Sequence, residues 1–318
     1  MFSTLNYVLQ RASPAAIERI FRERLSEPLH LNIIALFVLL FGSTRAKIYF
    51  DLTMRQQFAF GLLHAADMAK AMGVRRVTAI EFGVARGAGL RNMCQVASVV
   101  TRATGIEFDI AGFDTAVGLP RPRDYRDHPD IYKVGDYGMI DREGLKKALP
   151  SNAQLIVGPI EETLPGFLEK RQNGSPIGFA SIDVDYYFST VDAFKAFEGP
   201  ATFYLPITTL YFDHAWEEPH NPWCGELLAK DEFNAAHPRR KIAPYTHLKG
   251  KRLFKNARWI DNIYTLHILD HPLRSVPGDE VINHAPWTVM SLAVIAYKLA
   301  DTLAAIDVWN DLQEIFGC

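Results

Sequence analysis

Four apolar segments of this sequence end in an acidic residue, and acids at such positions are candidates for binding a ligand. The four acids are Glu81, Asp114, Asp185 and Asp213. In open α/β sheets, ligands bind at the carboxyl ends of the strands, where these acids would lie together. An acid at a strand end can also mark only the point where the chain meets water. Four such acids, with glycines beside the first, favour a shared ligand cleft.

Glycines follow the first acid in the segment Glu81–Gly89, EFGVARGAG. Glycine permits a tight strand-to-helix turn and lets a ligand approach the main chain closely. The N–H groups that open the next helix favour the anionic end of a ligand. Asn92 breaks the dinucleotide fingerprint in its nearest register, Gly87-x-Gly89-x-x-Asn92, and the sequence has no P-loop motif. A tight turn that binds no ligand is the alternative.

The spacing of two acids fits S-adenosylmethionine as the ligand. Glu81 stands two residues before Gly83, and Asp114 ends the next predicted strand. Both hydroxyls of a ribose can donate to one carboxylate, and the ammonium of the amino-acid end can pair with another. We therefore expect these acids to bind this cofactor.

A second group of polar residues follows later strands. Asp183-Val184-Asp185 places two carboxylates on one face of an extended chain, either as a ligand pair or as a solvated strand end. The segment after Asp213, HAWEEPHNPWCGE, gathers His214, Glu217, Glu218, His220, Cys224 and Glu226. The spacing His-x5-His-x3-Cys is not a standard zinc spacing, which favours a polar loop over a closed metal site. His214 is a candidate general base, because an unperturbed pKa of about 6.5 leaves the neutral form available at pH 7.

A long insertion runs from Asp114 to Asn152, well beyond the usual loop and helix between strands. It contains three tyrosines and three arginines: Tyr125, Tyr132, Tyr137, Arg121, Arg123 and Arg126. Such an insertion at the ligand edge of a sheet can form a lid or a wall for the acceptor, or it can be a packed surface excursion.

Short apolar runs rich in Val, Ile and Phe predict the strands that position these residues. The runs cover residues 77–82, 108–114, 153–158, 177–185, 202–213 and 262–270. Helices are predicted at Leu90–Ala103 and from Ser189 to Phe197. This alternation predicts an α/β fold with a doubly wound, mostly parallel, Rossmann-like sheet that is covered on both faces.

The two ends of the chain carry further helical patterns. Met54–Met72 predicts a helix, so we expect residues 1–75 to form an N-terminal helical extension and residues 76–318 to form one α/β domain. Leu31–Phe41 is too short to cross a membrane and predicts a buried helix, with a surface that docks on a membrane or a second subunit as the alternative. Trp287–Phe316 predicts a long closing helix. The terminal helices could support a homo-oligomer.

Composition excludes several classes of protein. The formal net charge of −2 over 318 residues provides no basic field for nucleic acid or an anionic membrane. The three cysteines are far apart and odd in number, which favours a reducing, cytoplasmic location. The start, MFSTLNYVLQR, lacks the pattern of a signal peptide.

Five motifs, taken in order, resemble the macrocin O-methyltransferase family between Ile80 and His214. They are E-x-G-V-x-R-G from Glu81, Asp114 with Gly118-Leu119-Pro120, Gly135-Asp136-Tyr137, E-T-L-P at Glu162–Pro165, and I-D-x-D-x-Y-x-S-T at Ile182–Thr190. The resemblance implies a class I methyltransferase fold that acts on sugar hydroxyls of natural products. It places Glu81, Gly83, Gly87 and Asp114 around the cofactor and Gly158–Glu161, including Ile160, near the adenine.

The same resemblance implies a magnesium site. Its ligands would be an acid of the D-x-D segment, Asp183 or Asp185, and a pair of adjacent aspartates that here reads Asp213-His214. Histidine suits zinc and other transition metals better than magnesium. We predict Asp183, Asp185, Asp213 and His214 as possible metal ligands. Asp183 is also predicted at the cofactor and in catalysis, and His214 in proton removal.

Two other functions remain open at this point. A glycosyltransferase could use the D-V-D segment to hold a manganese-bound nucleotide sugar, but it leaves the turn at Gly83 unexplained. A non-catalytic S-adenosylmethionine-binding protein is consistent with the altered Asp213-His214 pair. An NAD-dependent oxidoreductase is disfavoured by Asn92.

Overall fold

A mixed seven-stranded sheet forms the centre of the computed structural model, which describes residues 14–171, 174–215 and 219–275. The strands are β1 Arg76–Phe82, β2 Glu107–Asp114, β3 Ala153–Val157, β4 Ile177–Ile182, β5 Tyr204–Phe212, β6 Arg240–Pro244 and β7 Ile263–Ile268. Their order is β3-β2-β1-β4-β5-β7-β6, and β7 runs antiparallel to both of its neighbours. This is the doubly wound, Rossmann-like fold of class I methyltransferases, as the sequence predicted.

Helices cover both faces of the sheet. They are α1 Pro14–Leu25, α2 Leu29–Phe41, α3 Thr44–Tyr49, α4 Gln56–Ala71, α5 Ala88–Thr104, α6 Arg142–Ala148, α7 Ile160–Glu169, α8 Tyr187–Phe194, α9 Gly225–Ala236 and α10 Leu248–Lys251. Alternation along β1 separates two cores, because Val77 and Ala79 pack with α4 and α5 while Ile80 and Phe82 pack with α7, α8 and α9. Glu81 therefore lies on the same side of the sheet as α4 and α5.

The order of the strands reverses between β1 and β4, so this is the switch point of the sheet. The backbone is tightest here. Gly83 has φ +86°, and a Cβ at this position would lie 1.7 Å from the carbonyl oxygen of Asp183. Only glycine fits, because the turns after β1 and β4 touch through their main chains.

All six predicted strands are present, and the differences are at their ends and in missed elements. The strand predicted at residues 177–185 ends at Ile182, because the chain leaves the ladder before Asp185, whose φ is +61°. Edge strand β6, RKIAP, was missed because it is short, polar and ends in proline. Helices α3, α6, α7, α9 and α10 were also missed. The predicted helix Trp287–Phe316 lies outside the described residues, as do Glu217 and Glu218.

The prediction that Leu31–Phe41 is buried is wrong. The segment forms helix α2, but Ala35 is the one residue of the helix that is buried. Phe41 is 82% exposed and Leu36 is 62% exposed. An apolar run specifies a surface that should be covered, but it does not specify which element covers it, and no described element lies over this face. Within the described part of the chain, no helix is long and apolar enough to span a membrane.

Hydrophobic packing and buried hydrogen bonds join the helices before β1 to the rest of the chain. Helix α4 shares a hydrophobic core with β1 and packs against β4 and β5. Arg252 is buried and donates hydrogen bonds to the carbonyls of Ile48 and Tyr49 and to the carboxylate of Asp51. The division at residue 75 stays a prediction.

Candidate active site

The ends of β1 and β2 build the first half of the site. Asp114 holds the glycine turn through its side chain, because Oδ2 accepts hydrogen bonds from the backbone N–H groups of Val84 at 2.8 Å and Ala85 at 2.7 Å. Its Oδ1 accepts a third, from Ala116 N–H at 2.6 Å. Asp114 therefore shapes the turn even without a ligand, while the remaining lone pairs of its oxygens can still accept hydroxyl donors.

Glu81 is the buried acid of this half. It is 2% exposed, and its Oε2 has no hydrogen-bond partner among the described residues. A Cβ at Gly89 would lie 1.8 Å from Glu81 Oε1, so the start of α5 leaves just enough room for the carboxyl. Burial raises the pKa of Glu81 to about 8, against the opposing effect of the Arg55 charge. A cationic ligand group would stabilise the ionised form.

The start of α7 and the insertion form the opposite wall. Ile160 and Glu161, predicted near the adenine, are the first residues of α7 and line the cavity. The insertion is fastened by Asp127, which is buried and accepts hydrogen bonds from the backbone N–H groups of Arg123 at 2.7 Å and Phe188 at 3.2 Å. The Arg123 guanidinium lies 3.8 Å above the ring centre of Phe188. This part of the insertion is a packed wall of the cleft.

The ends of β4 and β5 build the second half of the site around His214. The Nε2 atom of His214 lies 2.8 Å from Asp185 Oδ1, 3.7 Å from Asp213 Oδ2 and 3.8 Å from Asp183 Oδ1. Tyr211 donates a 2.6 Å hydrogen bond to the other oxygen of Asp213. All four residues predicted from the sequence as metal ligands or proton-transfer groups thus lie in one cluster.

The electrostatics of this cluster differ from the sequence-based expectation for His214. Burial alone would lower its pKa, but the hydrogen bond to Asp185 and the charges of Glu226, Asp213 and Asp185 outweigh burial and raise the pKa to about 11. His214 is therefore protonated at pH 7 in this arrangement, whereas a general base must be neutral. Burial and the Asp213 charge raise the pKa of Asp183 well above its ordinary value, so Asp183 is the better proton acceptor.

The ligand atoms of three predicted metal ligands lie close enough together to bind one cation. Ligand atoms of Asp183, Asp213 and His214 all lie within 4.8 Å of one another, and Asp185 is engaged by His214 instead. One nitrogen and two carboxylate oxygens fit manganese, cobalt or zinc better than magnesium. Neither His220 nor Cys224 belongs to this group in the described part of the chain. His220 stacks on His214 at 5.0 Å and accepts or donates a hydrogen bond with Tyr132.

Both halves line one cavity of about 980 Å³, which is the upper range for a small-molecule site. Two residues of the site were not assigned a role from the sequence. Arg55 lines the cavity from the start of α4, in a segment that was read only as helical. Glu226 lies in the first turn of α9, accepts a hydrogen bond from the backbone N–H of His214 and is 2% exposed, but its helix was not predicted. The sequence gives no signal that brings Arg55 to the site, whereas Glu226 stands in the polar segment after Asp213 that the sequence singled out.

Comparisons with known proteins give structural neighbours at low similarity. No protein-family model matches the sequence, and no curated protein sequence matches it. The solved structure of CalS11, a calicheamicin methyltransferase, is 21% identical over 70% of this chain and 85% of its own, with a TM-score of 0.43. Cofactor-bound Rv0187 from MTB is 15% identical over 81% and 99%, with a TM-score of 0.38. An O-methyltransferase from Bacillus cereus in complex with SAH is 16% identical over 60% and 74%, with a TM-score of 0.32.

At these identities and TM-scores, the activities of the neighbours do not extend to this chain. The resemblance to the macrocin O-methyltransferase family stays a prediction.

Proposed function

We propose that this protein is a cytoplasmic S-adenosylmethionine-dependent methyltransferase that acts on a hydroxyl of a small molecule or a sugar-containing metabolite. One observation carries the proposal. The glycine turn at the switch point of the sheet lies between the buried Glu81 and Asp114, and all three face the same cavity. Switch points of open α/β sheets are where such folds bind nucleotide-containing ligands.

The residues of the first half of the site would each bind a different part of the cofactor. Asp114 would accept the ribose hydroxyls, and Glu81 would pair with the ammonium of the amino-acid end. Gly83 and Gly87, with φ of +86° and +80°, open the turn that the cofactor crosses. The adenine would lie toward Ile160 and Glu161 at the start of α7.

The acceptor would enter between the insertion and the acid–histidine cluster, which consists of His214, Asp183, Asp185 and Asp213. The hydroxyl oxygen attacks the methyl carbon, the carbon–sulfur bond breaks, and its electron pair stays on sulfur. The hydroxyl proton passes to Asp183, whose raised pKa makes it a stronger base than an ordinary aspartate. The protonated His214 stabilises the negative charge that develops nearby. Alignment of donor and acceptor in the cleft can supply about 7–11 kcal/mol of barrier reduction.

As an alternative to this proton transfer, a divalent cation would bind through the carboxylates of Asp183 and Asp213 and the deprotonated imidazole of His214, whose ligand atoms converge. When bound, such a cation lowers the pKa of an acceptor hydroxyl. The buried Glu226 lies beside these ligands and accepts a 3.4 Å hydrogen bond from the backbone N–H of His214. Burial raises the pKa of Glu226 well above its ordinary value, so a bound cation would favour its ionised form.

The proposal is tested by native mass spectrometry of the purified protein, followed by calorimetry. We expect co-purified or added S-adenosylmethionine to bind with one site per chain, and a panel of hydroxylated acceptors to yield methylated product. Binding without turnover on any acceptor would favour a non-catalytic S-adenosylmethionine-binding protein. Thermal stabilisation by a nucleotide sugar with manganese, but not by S-adenosylmethionine, would favour a glycosyltransferase.

A further inference from the structure

We propose that Arg55 binds the carboxylate at the amino-acid end of S-adenosylmethionine, so that Arg55 and Glu81 together form a receptor for the zwitterion. The inference rests on the proposed function and adds a residue from outside the α/β domain that the sequence predicted. It concerns binding of the cofactor and not the chemical step.

The position of Arg55 is fixed by the structure around it. Its backbone is left-handed, with φ +49°, at the residue that precedes α4. The guanidinium lies 5.4 Å from the ring centre of Phe58, which is 1% exposed and packs edge-on against Phe179 of β4 and Tyr211 of β5. The side chain therefore rests on the floor of the cleft, beside the ends of the central strands.

Arg55 carries a charge without an ion pair or hydrogen bond that a described residue supplies to its side chain, and it is half-buried. Glu81 lines the same cavity, its Oε2 is buried without a hydrogen-bond partner among the described residues, and the charge of Arg55 affects Glu81 more strongly than any other charge does. A guanidinium and a carboxyl group that face one cavity match the carboxylate and the ammonium of an α-amino acid, because the ammonium stabilises the ionised form of the carboxyl group on binding. Arginine holds a carboxylate with two parallel hydrogen bonds.

The alternative is that Arg55 acts only through Glu81, whose pKa its charge lowers. Both roles predict weaker binding when Arg55 is removed, but the indirect role disappears when Glu81 is replaced by a residue that does not ionise. If Arg55 binds the carboxylate, Arg55→Ala weakens the binding of S-adenosylhomocysteine in a Glu81→Gln background as well.

The experiment compares two ligands in calorimetry. S-adenosylhomocysteine has the amino-acid end, and 5′-deoxy-5′-methylthioadenosine lacks it. We expect Arg55→Ala to weaken the affinity for S-adenosylhomocysteine at least tenfold, because a charge-assisted hydrogen bond is lost. The affinity for methylthioadenosine should stay within twofold of the wild-type value. Arg55→Lys should recover part of the affinity. Lys70→Ala removes the same charge from the other end of α4 and should leave the affinity for both ligands unchanged.

Equal or stronger binding of S-adenosylhomocysteine to Arg55→Ala would overturn the inference, as would an equal loss for both ligands. Failure of the wild-type protein to bind either ligand would overturn the proposed function itself, so the two failures are distinguishable. Circular dichroism of the variant confirms that α4 remains folded.

A separate observation, the uncovered face of α2, supports a second inference. We infer that this face pairs with the same face of a second copy of the chain. Eight large apolar side chains of α2 are exposed: Leu29, Ile33, Ile34, Leu36, Phe37, Leu39, Leu40 and Phe41. Their exposed fractions, 37–82% of about 190 Å² each, add up to roughly 800 Å² around α2. A contact that covers most of this surface reaches the area that a stable dimer buries on each partner. The helix carries no Asp, Glu, Lys or Arg, so two copies meet without charge repulsion.

Light scattering of the full chain tests this inference. We expect a dimer for the wild type and a folded monomer for Leu36→Glu, while Val117→Glu, at an even more exposed apolar position in the insertion, should remain dimeric. A monomeric wild type would overturn the inference. In that case, binding to anionic vesicles would identify a lipid surface as the occupant, and loss of stability in Leu36→Glu would identify another segment of the chain.

Discussion

Glu81 is a carboxyl group placed in the hydrophobic interior, and its protonation should report on cofactor binding. Burial raises its pKa to about 8, so at pH 6 to 7.5 the free protein carries it mostly protonated. Pairing with an ammonium requires the carboxylate, so binding releases a proton and becomes stronger as the pH rises. We expect the affinity for S-adenosylmethionine to rise by up to about tenfold per pH unit below pH 8.

Calorimetry between pH 6 and 7.5, in two buffers of different ionisation enthalpy, measures this proton release. Glu81→Gln should give a flat pH profile. A flat profile in the wild-type protein would place the ammonium elsewhere.

Asp114 acts on the cofactor in two ways, directly and through the turn that it holds. Asp114→Ala removes an acceptor for the ribose and also releases the N–H groups of Val84 and Ala85. We expect the affinity for S-adenosylmethionine to fall at least tenfold. Glu107→Ala, at the exposed opposite end of the same strand, is the control and should leave the affinity unchanged. An unchanged affinity in Asp114→Ala would remove this acid from the cofactor site.

At the level of elements, the sequence predicted what depends on local pattern and missed what depends on tertiary partners. Apolar runs and the turn at Gly83 are local, and they predicted the strands, their parallel core and the acids at their ends. Burial of α2 depends on what covers it, and the position of Arg55 depends on how α4 crosses the sheet. The protonation of His214 depends on carboxylates from three segments, so its unperturbed pKa was a poor guide.

The fastening of the N-terminal helices is an element-scale feature whose strength can be measured. Asp51 and Arg252 form a buried ion pair, and each is at most 6% exposed. Arg252→Ala would leave the buried Asp51 carboxyl, whose pKa burial already raises to about 6, without its guanidinium partner, and we expect the free energy of unfolding in urea to fall by about 3–5 kcal/mol. Asp51→Ala combined with Arg252→Ala should cost less than the sum of the two single changes.

Arg22→Ala provides the matched control for this experiment. It breaks the Glu18–Arg22 pair on α1, where both side chains are mostly exposed, and should cost less than about 1 kcal/mol. A loss for Arg252→Ala as small as that of the control would show that this ion pair does not hold the N-terminal helices in place.

Across the whole molecule, the strand order gathers at one edge acids that are far apart in sequence. Glu81 and Asp114 come from strands on one side of the switch point, and Asp183 and Asp213 come from strands on the other. The insertion closes this edge from above through Asp127. The fold thus separates a cofactor half from an acid–histidine half within one cavity, which is the arrangement that a transfer between two bound molecules requires.

The concentration of acids in the second half makes a test of cation binding possible on the intact protein. Carboxylates in one cleft repel one another unless a cation neutralises them. In the structure, the protonated His214 is the cation that neutralises the carboxylates. A divalent cation held by Asp183, Asp213 and His214 would bind only to the folded state, because these residues converge only there. Its binding would therefore raise the melting temperature in proportion to its occupancy. The nitrogen ligand predicts larger increases with zinc, cobalt or manganese than with magnesium. Asp213→Asn should abolish the increase, whereas Asp231→Asn, on the exposed side of α9, should preserve it. If chelator-treated protein gains no stability from any of these ions, the imidazolium of His214 is the resident counter-charge of the cluster and the metal assignment fails.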